Sequence, residues 1–145
     1  VIMKTRKLNH SVYKHQYHLV WGTKYRRKFF KKYVGDEFEH LLYELVKKKY
    51  PDLYIEAVNT DQDHVHIQIE IPPTYAVSDV VKRIKWHSSV YLKKKFKFID
   101  RMYINGNIWG VGYYSSTIGL DEETIRKYIE YQGKEEVLQT PSLFE

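Results

Sequence analysis

The stretch His64–Ile71, HVHIQIEI, decides the fold, because apolar and polar residues alternate along it without a break. Successive side chains of a β-strand point to opposite faces of the sheet, so this alternation predicts a strand with one buried and one polar face. The face predicted to be buried carries Val65, Ile67, Ile69 and Ile71. The polar face carries His64, His66, Gln68 and Glu70.

Neighbouring segments supply further strands of an antiparallel sheet. Leu53–Val58 is predicted to pair with the histidine-bearing strand, because only the short turn TDQD at 60–63 separates the two. Gln16–Trp21, QYHLVW, is rich in β-forming residues and predicts a third strand. Asn105-Gly106, between MYI and NIW, predicts a hairpin that joins two more strands.

Three helices are expected around these strands. The first follows an apolar stripe, with Gly35 and Asp36 at its start and Pro51 at its end. The second runs roughly from Ser78 to Phe96, and the last begins at the acidic turn 121–123. The order of elements predicts an α+β fold: a ferredoxin-like or RRM-like antiparallel sheet with helices on one face, plus a C-terminal helix. We expect residues 1–145 to form a single domain.

The composition favours a globular protein with a polyanionic partner. The 145 residues carry a formal charge of +6, and 16% of them are aromatic. Cations that neutralise phosphates and rings that stack on bases are typical of nucleic-acid-binding proteins. The lack of cysteine excludes disulfides and thiolate metal sites. No apolar run approaches the roughly 20 residues that span a bilayer, so we expect a cytoplasmic protein with no membrane partner.

His64 and His66 form part of a metal site, or else two ordinary histidines on a polar strand face. Residues i and i+2 of a strand project from the same face, so both imidazoles can reach one ion. Asp61 and Asp63 are candidate further ligands or residues that orient the histidines. Without cysteine or a third nearby histidine, a structural zinc site is not expected.

Tyr128 and Gln132 lie four residues apart on the last helix and therefore share one face. A phenol, with a pKa near 10, is a poor nucleophile unless a base or metal activates it or its target. By itself the pair is more typical of a helix face that packs on a core than of a catalytic pair.

Taken together, these motifs resemble the single-tyrosine HUH transposases, the small transposases of bacterial and archaeal insertion sequences, with their repeat-associated (REP) relatives. The resemblance runs through YHLVWGTKYRRK at 17–28, DHVHI at 63–67 and GYYSSTIGLDEETIRKYIEYQ at 112–132. It implies that His64, His66 and Gln132 bind one Mg²⁺ or Mn²⁺ ion. It also implies that Tyr128 attacks the scissile phosphate.

The same resemblance implies a transposase that cleaves and rejoins single-stranded DNA through a 5′-phosphotyrosine link. It implies recognition of hairpins near the element ends. A homodimer is also implied, whose active sites combine the histidine strand of one subunit with the tyrosine helix of the other. The candidate phosphate contacts, each of which has a solvated charged surface as its alternative role, are Lys24, Arg26, Arg27, Lys28, Lys82, Arg83 and Lys85.

Three alternatives remain open at this point. A replication-initiator or relaxase-type HUH nickase also uses a metal ion and a tyrosine, but often carries a third histidine ligand and further domains. A domesticated transposase relative has the same chemistry in another biological role. A non-catalytic ferredoxin-like module binds nucleic acid on its sheet without cleaving it.

Overall fold

The computed structural model of the protein describes residues 6–8, 11–13, 15–117 and 121–139. A two-stranded antiparallel hairpin, β1 (Arg6–Leu8) and β2 (Ser11–Tyr13), precedes the main sheet. The strands of the main sheet are β3 (Gln16–Gly22), β4 (Tyr54–Thr60), β5 (His64–Glu70) and β6 (Tyr114–Ser116). The helices are α1 (Lys32–Lys49), α2 (Val77–Lys95), α3 (Lys97–Met102) and α4 (Glu122–Gln139).

The main sheet is antiparallel and has the strand order β4-β5-β3-β6. With α1 between β3 and β4 and α2 between β5 and β6, this is the split βαβ arrangement of ferredoxin-like folds. The predicted α+β fold is therefore confirmed. Strand β5, which carries both histidines, is hydrogen-bonded to a neighbour on each side.

The apolar face of β5 anchors the core. Val65, Ile67 and Ile69 have no exposed surface and belong to the same buried cluster as residues of α1 and α2, among them Phe38 and Ile84. Burial of each such side chain stabilises the fold by about 1.5–3 kcal/mol. The strand that bears the histidines is thus held in place by the centre of the core.

Helix α4 packs on the opposite, polar face of the sheet. Its side chains Ile129 and Gln132 are both 3% exposed, and Val20, which lies on that face of β3, is fully buried. The predicted acidic start of this helix is also observed, since Oδ1 of Asp121 accepts a hydrogen bond from the amide of Thr124. None of the helices in the described part of the chain is long and apolar enough to cross a membrane.

The predicted start of the first helix is wrong, because Gly35 lies inside α1 rather than before it. A Cβ at Gly35 would lie 2.4 Å from the hydroxyl oxygen of Thr60 on β4. The glycine is therefore required by the close approach of helix and strand, not by a helix terminus.

The predicted hairpin at Asn105-Gly106 is also wrong. The chain does turn there, with Asn105 in the left-handed region at φ 58° and the amide of Gly106 bonded to the carbonyl of Tyr103 at 3.0 Å. However, the turn follows the short helix α3, and the segment after it forms only a single bridge, between Trp109 and Thr23. The signal identified a real left-handed turn but not the elements on its two sides.

Candidate active site

The two histidines of β5 open into a cleft between the polar sheet face and the N-terminal half of α4. The cleft has a volume of about 930 Å³, and Asp61, Asp63 and Ile129 also line it. His64 is paired with Gly22 on β3, and His66 is paired with Val20. Directly paired residues of antiparallel strands point to the same face, so this face of β3 forms the floor beside the histidines.

An acidic side chain fixes the orientation of His64. Oδ1 of Asp63 lies 2.9 Å from Nδ1 of His64, and Oδ2 lies 3.3 Å from Arg26. The hydrogen bond from His64, together with the charge of Arg26, lowers the pKa of Asp63. An ionised carboxylate only accepts hydrogen bonds, so this contact requires a proton on Nδ1 of His64 and leaves Nε2 as the nitrogen not bonded to Asp63. Asp61 instead accepts a hydrogen bond from the amide of Gln62 in its own turn.

A third histidine, which the sequence did not single out, lies beside His66. Nδ1 of His18 on β3 is 3.3 Å from Nε2 of His66. Burial lowers the pKa of both imidazoles, and for His66 the charges of His18 and His64 lower it further. The neutral form of an imidazole, which is the form that binds metals, is therefore favoured at His66.

Gln132 reaches the same face of the sheet from α4. Its Nε2 donates a hydrogen bond to the carbonyl of Val111 at 3.0 Å. Its Oε1 is buried and has no hydrogen-bond partner among the described residues. A Cβ at Gly22 would lie only 2.4 Å from this oxygen, so the side chain occupies the space that the glycine leaves open next to His64.

The carboxamide oxygen of Gln132 can accept a hydrogen bond or bind a cation. Among the side chains that the structure describes, no three His, Cys, Asp or Glu are arranged to hold a metal ion. The carboxamide oxygen of Gln132, next to Gly22, is a further candidate donor atom on this face. Oε1 of Gln132 is a buried acceptor on the correct face, and leaving such an atom unsatisfied costs about 1–3 kcal/mol.

Tyr128 also lies over the polar face of the sheet, but above the edge strand β6 rather than above the histidines on β5. Its ring is 5.7 Å from that of Tyr114, and its hydroxyl would be 3.8 Å from a Cβ at Gly112. Tyr114 on β6 is paired with Val20, which is itself paired with His66. Two strand spacings, roughly 10 Å, therefore separate the backbones of Tyr114 and His66. Tyr128 is not among the described residues that line the histidine cleft.

The first basic cluster is partly engaged within the protein. Arg26 contacts Asp63, and Arg27 donates to the carbonyl of Met102 at 2.7 Å. Tyr25 and Arg26 have left-handed backbones, at φ 61° and 51°, within a short 3₁₀ turn. Lys24 is half-buried and Lys28 is exposed. Lys28 therefore remains the most accessible candidate for phosphate contact in this cluster.

The cations of the second basic cluster, on α2, differ in their exposure and contacts. Lys82 and Arg83 are exposed, and the guanidinium of Arg83 lies 5.3 Å from the ring centre of Tyr50. Lys85 is half-buried and donates to two backbone carbonyls, those of Gly110 and Gly112. The geometry of Lys85 thus indicates a structural contact rather than a free phosphate ligand.

Sequence reasoning missed His18 and assigned Lys85 to another role. The strand QYHLVW was predicted, but nothing in the sequence says that it lies next to β5 or in which register. Lys85 was grouped with two other cations on its helix because spacing alone does not show which cation faces a loop. The sequence offered both Asp61 and Asp63 as orienting residues, and the structure places Asp63, rather than Asp61, against Nδ1 of His64.

Comparison with known proteins gives the family. Residues 11–132 match the family described as Transposase IS200 like. The chain belongs to this transposase family. The transposase for insertion sequence element IS200 of Salmonella typhimurium is 31% identical over 135 residues, which are 90% of this chain and 85% of that protein. The ISDra2 transposase TnpA of Deinococcus radiodurans is 27% identical, over 92% of this chain and 95% of that protein.

Solved structures confirm the fold of this transposase. A Deinococcus radiodurans crystal structure assigned as a transposase superposes with a TM-score of 0.74 at 29% identity, over 88% of this chain and 97% of that one. A REP-associated tyrosine transposase bound to a REP hairpin gives a TM-score of 0.52 at 15% identity, over 86% and 68%. The similarity to this second structure supports the fold and not a shared function. The family assignment favours a transposase over the replication-initiator and relaxase alternatives.

Proposed function

We propose that this transposase cleaves and rejoins single-stranded DNA at insertion-sequence ends, through a covalent bond between Tyr128 and a 5′ phosphate. The observation that carries the proposal is the unpartnered, buried Oε1 of Gln132 on the sheet face that also holds His64 and His66. The tyrosine and this oxygen are on one helix, so a ligand and a nucleophile reach the polar face together.

The ligands that we propose for a divalent ion, Mg²⁺ or Mn²⁺, are His64, His66 and Gln132. When bound, such an ion supplies Lewis-acid chemistry at a phosphoryl oxygen and stabilises the charge that develops there. Two imidazoles also suit softer ions such as Zn²⁺, so the metal requirement has to be measured. Asp63, by accepting a hydrogen bond from Nδ1, would direct Nε2 of His64 to the ion.

The proposed role of Tyr128 is to exchange one phosphodiester for another. Its phenolic oxygen attacks phosphorus as the phenolic proton leaves to water. The bond from phosphorus to the 3′ oxygen breaks, and that oxygen takes up a proton to give a free 3′-OH. A second DNA 3′-OH can later attack the phosphotyrosine and release Tyr128. Because one phosphodiester replaces another, no nucleotide hydrolysis is needed, in keeping with the absence of a GxxxxGK[ST] motif.

DNA hairpins near the element ends are the proposed substrate feature. The REP-associated transposase of similar fold is bound to a hairpin, which supports this partner. The test is incubation with hairpin-bearing single strands from the element ends and Mg²⁺ or Mn²⁺. A protein–DNA band that resists denaturant is expected. With the correct ends, binding without any such band would favour the non-catalytic module instead.

We further propose a homodimer whose active sites combine both subunits. The position of Tyr128 over β6, away from the histidine cleft of its own chain, supports this arrangement. Gln132 is one turn from Tyr128 on the same helix, so in such a dimer α4 would supply both side chains to the same composite site. A mixture of Tyr128→Phe and His64→Ala proteins, each inactive alone, is expected to recover cleavage after subunit exchange, because one composite site per heterodimer is then intact. Cleavage would be assayed as covalent adduct. If the exchanged heterodimers stay inactive, the tyrosine acts within its own subunit.

Asp63→Asn should weaken metal binding, because an amide no longer presents an ionised acceptor to Nδ1 of His64. Residues that orient metal-bound histidines typically contribute about 10- to 100-fold in affinity, and calorimetric titration with Mn²⁺ would measure the loss. Asp61→Asn is the matched control, since the Asp61 carboxylate contacts its own turn. Equal losses for the two variants would contradict the orienting role of Asp63.

A further inference from the structure

The loop Gly110–Gly112 touches two of the residues proposed to carry the chemistry. The carbonyl of Val111 accepts the hydrogen bond from Nε2 of Gln132 at 3.0 Å. A Cβ at Gly112 would lie 3.8 Å from the hydroxyl of Tyr128. The amide of Gly110 in turn donates to the carbonyl of Gly22 on β3 at 2.9 Å. The loop is therefore bonded to Gln132 and lies beside Tyr128.

The hydrogen bond to Val111 decides which way the carboxamide of Gln132 faces. A backbone carbonyl only accepts hydrogen bonds, so the NH₂ group must point to it. The oxygen then points the opposite way, towards Gly22 and the histidine side of the sheet. If the loop moved, Gln132 would lose the contact that fixes this orientation.

No buried side chain of the loop itself holds it in place. The side chain of Val111 is 83% exposed, and the residues on either side of it are glycines. Gly112 also has a φ of +88°, a conformation that L residues rarely adopt. Polar contacts from other parts of the protein therefore contribute to anchoring the loop.

Lys85 on α2 provides such an anchor. Its Nζ donates to the carbonyl of Gly110 at 2.8 Å and to that of Gly112 at 2.7 Å, one on each side of Val111. The ammonium also lies 5.9 Å from the ring centre of Trp21. We infer that Lys85 is a positioning residue for Gln132: it clamps the loop whose central carbonyl aims the carboxamide oxygen at the metal. This inference rests on the proposed function, in which Gln132 is a metal ligand.

The same helix offers a matched control. Nζ of Lys93 donates to the carbonyls of Tyr103 and Gly106, both at 2.7 Å. Lys93 thus clamps the turn after α3 in the same manner, but that turn makes no contact with Gln132 in the structure described. A Lys93→Met change removes an equivalent pair of hydrogen bonds and leaves the loop at 110–112 in place.

The test measures Mn²⁺ affinity by electron paramagnetic resonance, on protein without DNA, for the unmodified chain and for Lys85→Met, Lys93→Met and Gln132→Ala. We expect Gln132→Ala and Lys85→Met to weaken binding by roughly 10-fold or more, and Lys93→Met to leave it unchanged. In ¹⁵N-labelled protein, the side-chain amide signal of Gln132 should shift in Lys85→Met but not in Lys93→Met. Should Lys85→Met fail to fold, Lys85→Gln replaces it, because the glutamine side chain is shorter and uncharged but keeps a polar NH₂ group.

The outcomes distinguish failure of the positioning role of Lys85 from failure of the proposed metal site. If Gln132→Ala weakens binding but Lys85→Met neither weakens it nor shifts the amide signal, the positioning inference is overturned and the proposed metal site stands. If Lys85→Met and Lys93→Met weaken binding equally, the effect is general destabilisation, which also overturns the inference. If Gln132→Ala leaves the affinity unchanged, Gln132 is not a ligand, and both the proposed ligand set and the inference fail.

Discussion

Replacement of Tyr128 by phenylalanine is expected to abolish the covalent DNA adduct while hairpin binding is retained. The change removes the attacking oxygen and keeps the ring, which packs against Tyr114. Loss of the nucleophile in enzymes with covalent intermediates lowers the rate by roughly 10³-fold or more. Denaturing gels with labelled hairpin DNA would report the adduct, and a gel-shift titration of the same samples would report binding.

Tyr131→Phe is the control for this experiment. Tyr131 is on the same helix and is 60% exposed, so its substitution removes a phenol of equal chemistry from a neighbouring position. Adduct formation by the Tyr131 variant should match that of the unmodified protein. The assignment of the nucleophile would be wrong if the Tyr128 variant still formed adduct and the Tyr131 variant did not.

Replacement of either His64 or His66 by alanine should reduce metal-dependent cleavage by about 10²- to 10⁴-fold. This range follows from the several kcal/mol that a bound ion contributes to charge stabilisation in phosphoryl transfer. Both side chains lie on the polar face of β5, so their loss leaves Val65 and the core beneath it intact. Single-turnover cleavage across a Mn²⁺ titration, with hairpin binding measured in parallel, would separate loss of the ion from loss of DNA.

The matched control is His40→Ala, because His40 is an exposed histidine on α1. Cleavage and its Mn²⁺ dependence should be unchanged in this variant. Should the β5 variants lose hairpin binding in step with cleavage, the histidines would contact DNA rather than an ion, and the ligand assignment would have to be withdrawn.

The features of the site that the sequence predicts are those set by local periodicity. The alternation along 64–71 places two histidines on one face whatever the neighbours of that strand are. The four-residue spacing likewise places Tyr128 and Gln132 on one side of a helix. Both arrangements appear in the structure, and the family resemblance drawn from them is confirmed by the match over residues 11–132.

Features that depend on which elements become neighbours were not predictable. The contact of His18 with His66 arises because β3 pairs with β5 in one particular register, and strand order is not encoded in any local pattern. Gly35 was interpreted as a helix start because its role depends on Thr60, which lies far away in the sequence. The turn at Asn105-Gly106 has a left-handed residue, as the dipeptide indicates, but the short helix before it was missed.

Gly22 on β3 leaves the space that the side chain of Gln132 occupies. The backbone of β3 does not itself require glycine at this position, since its φ is not in the left-handed range. The requirement comes from the carboxamide of Gln132, which fills the volume of the missing methyl group. A glycine in the strand next to the histidines and a glutamine on the tyrosine helix are therefore constrained as a pair. In this chain, a larger residue at position 22 would force the carboxamide of Gln132 out of its present place.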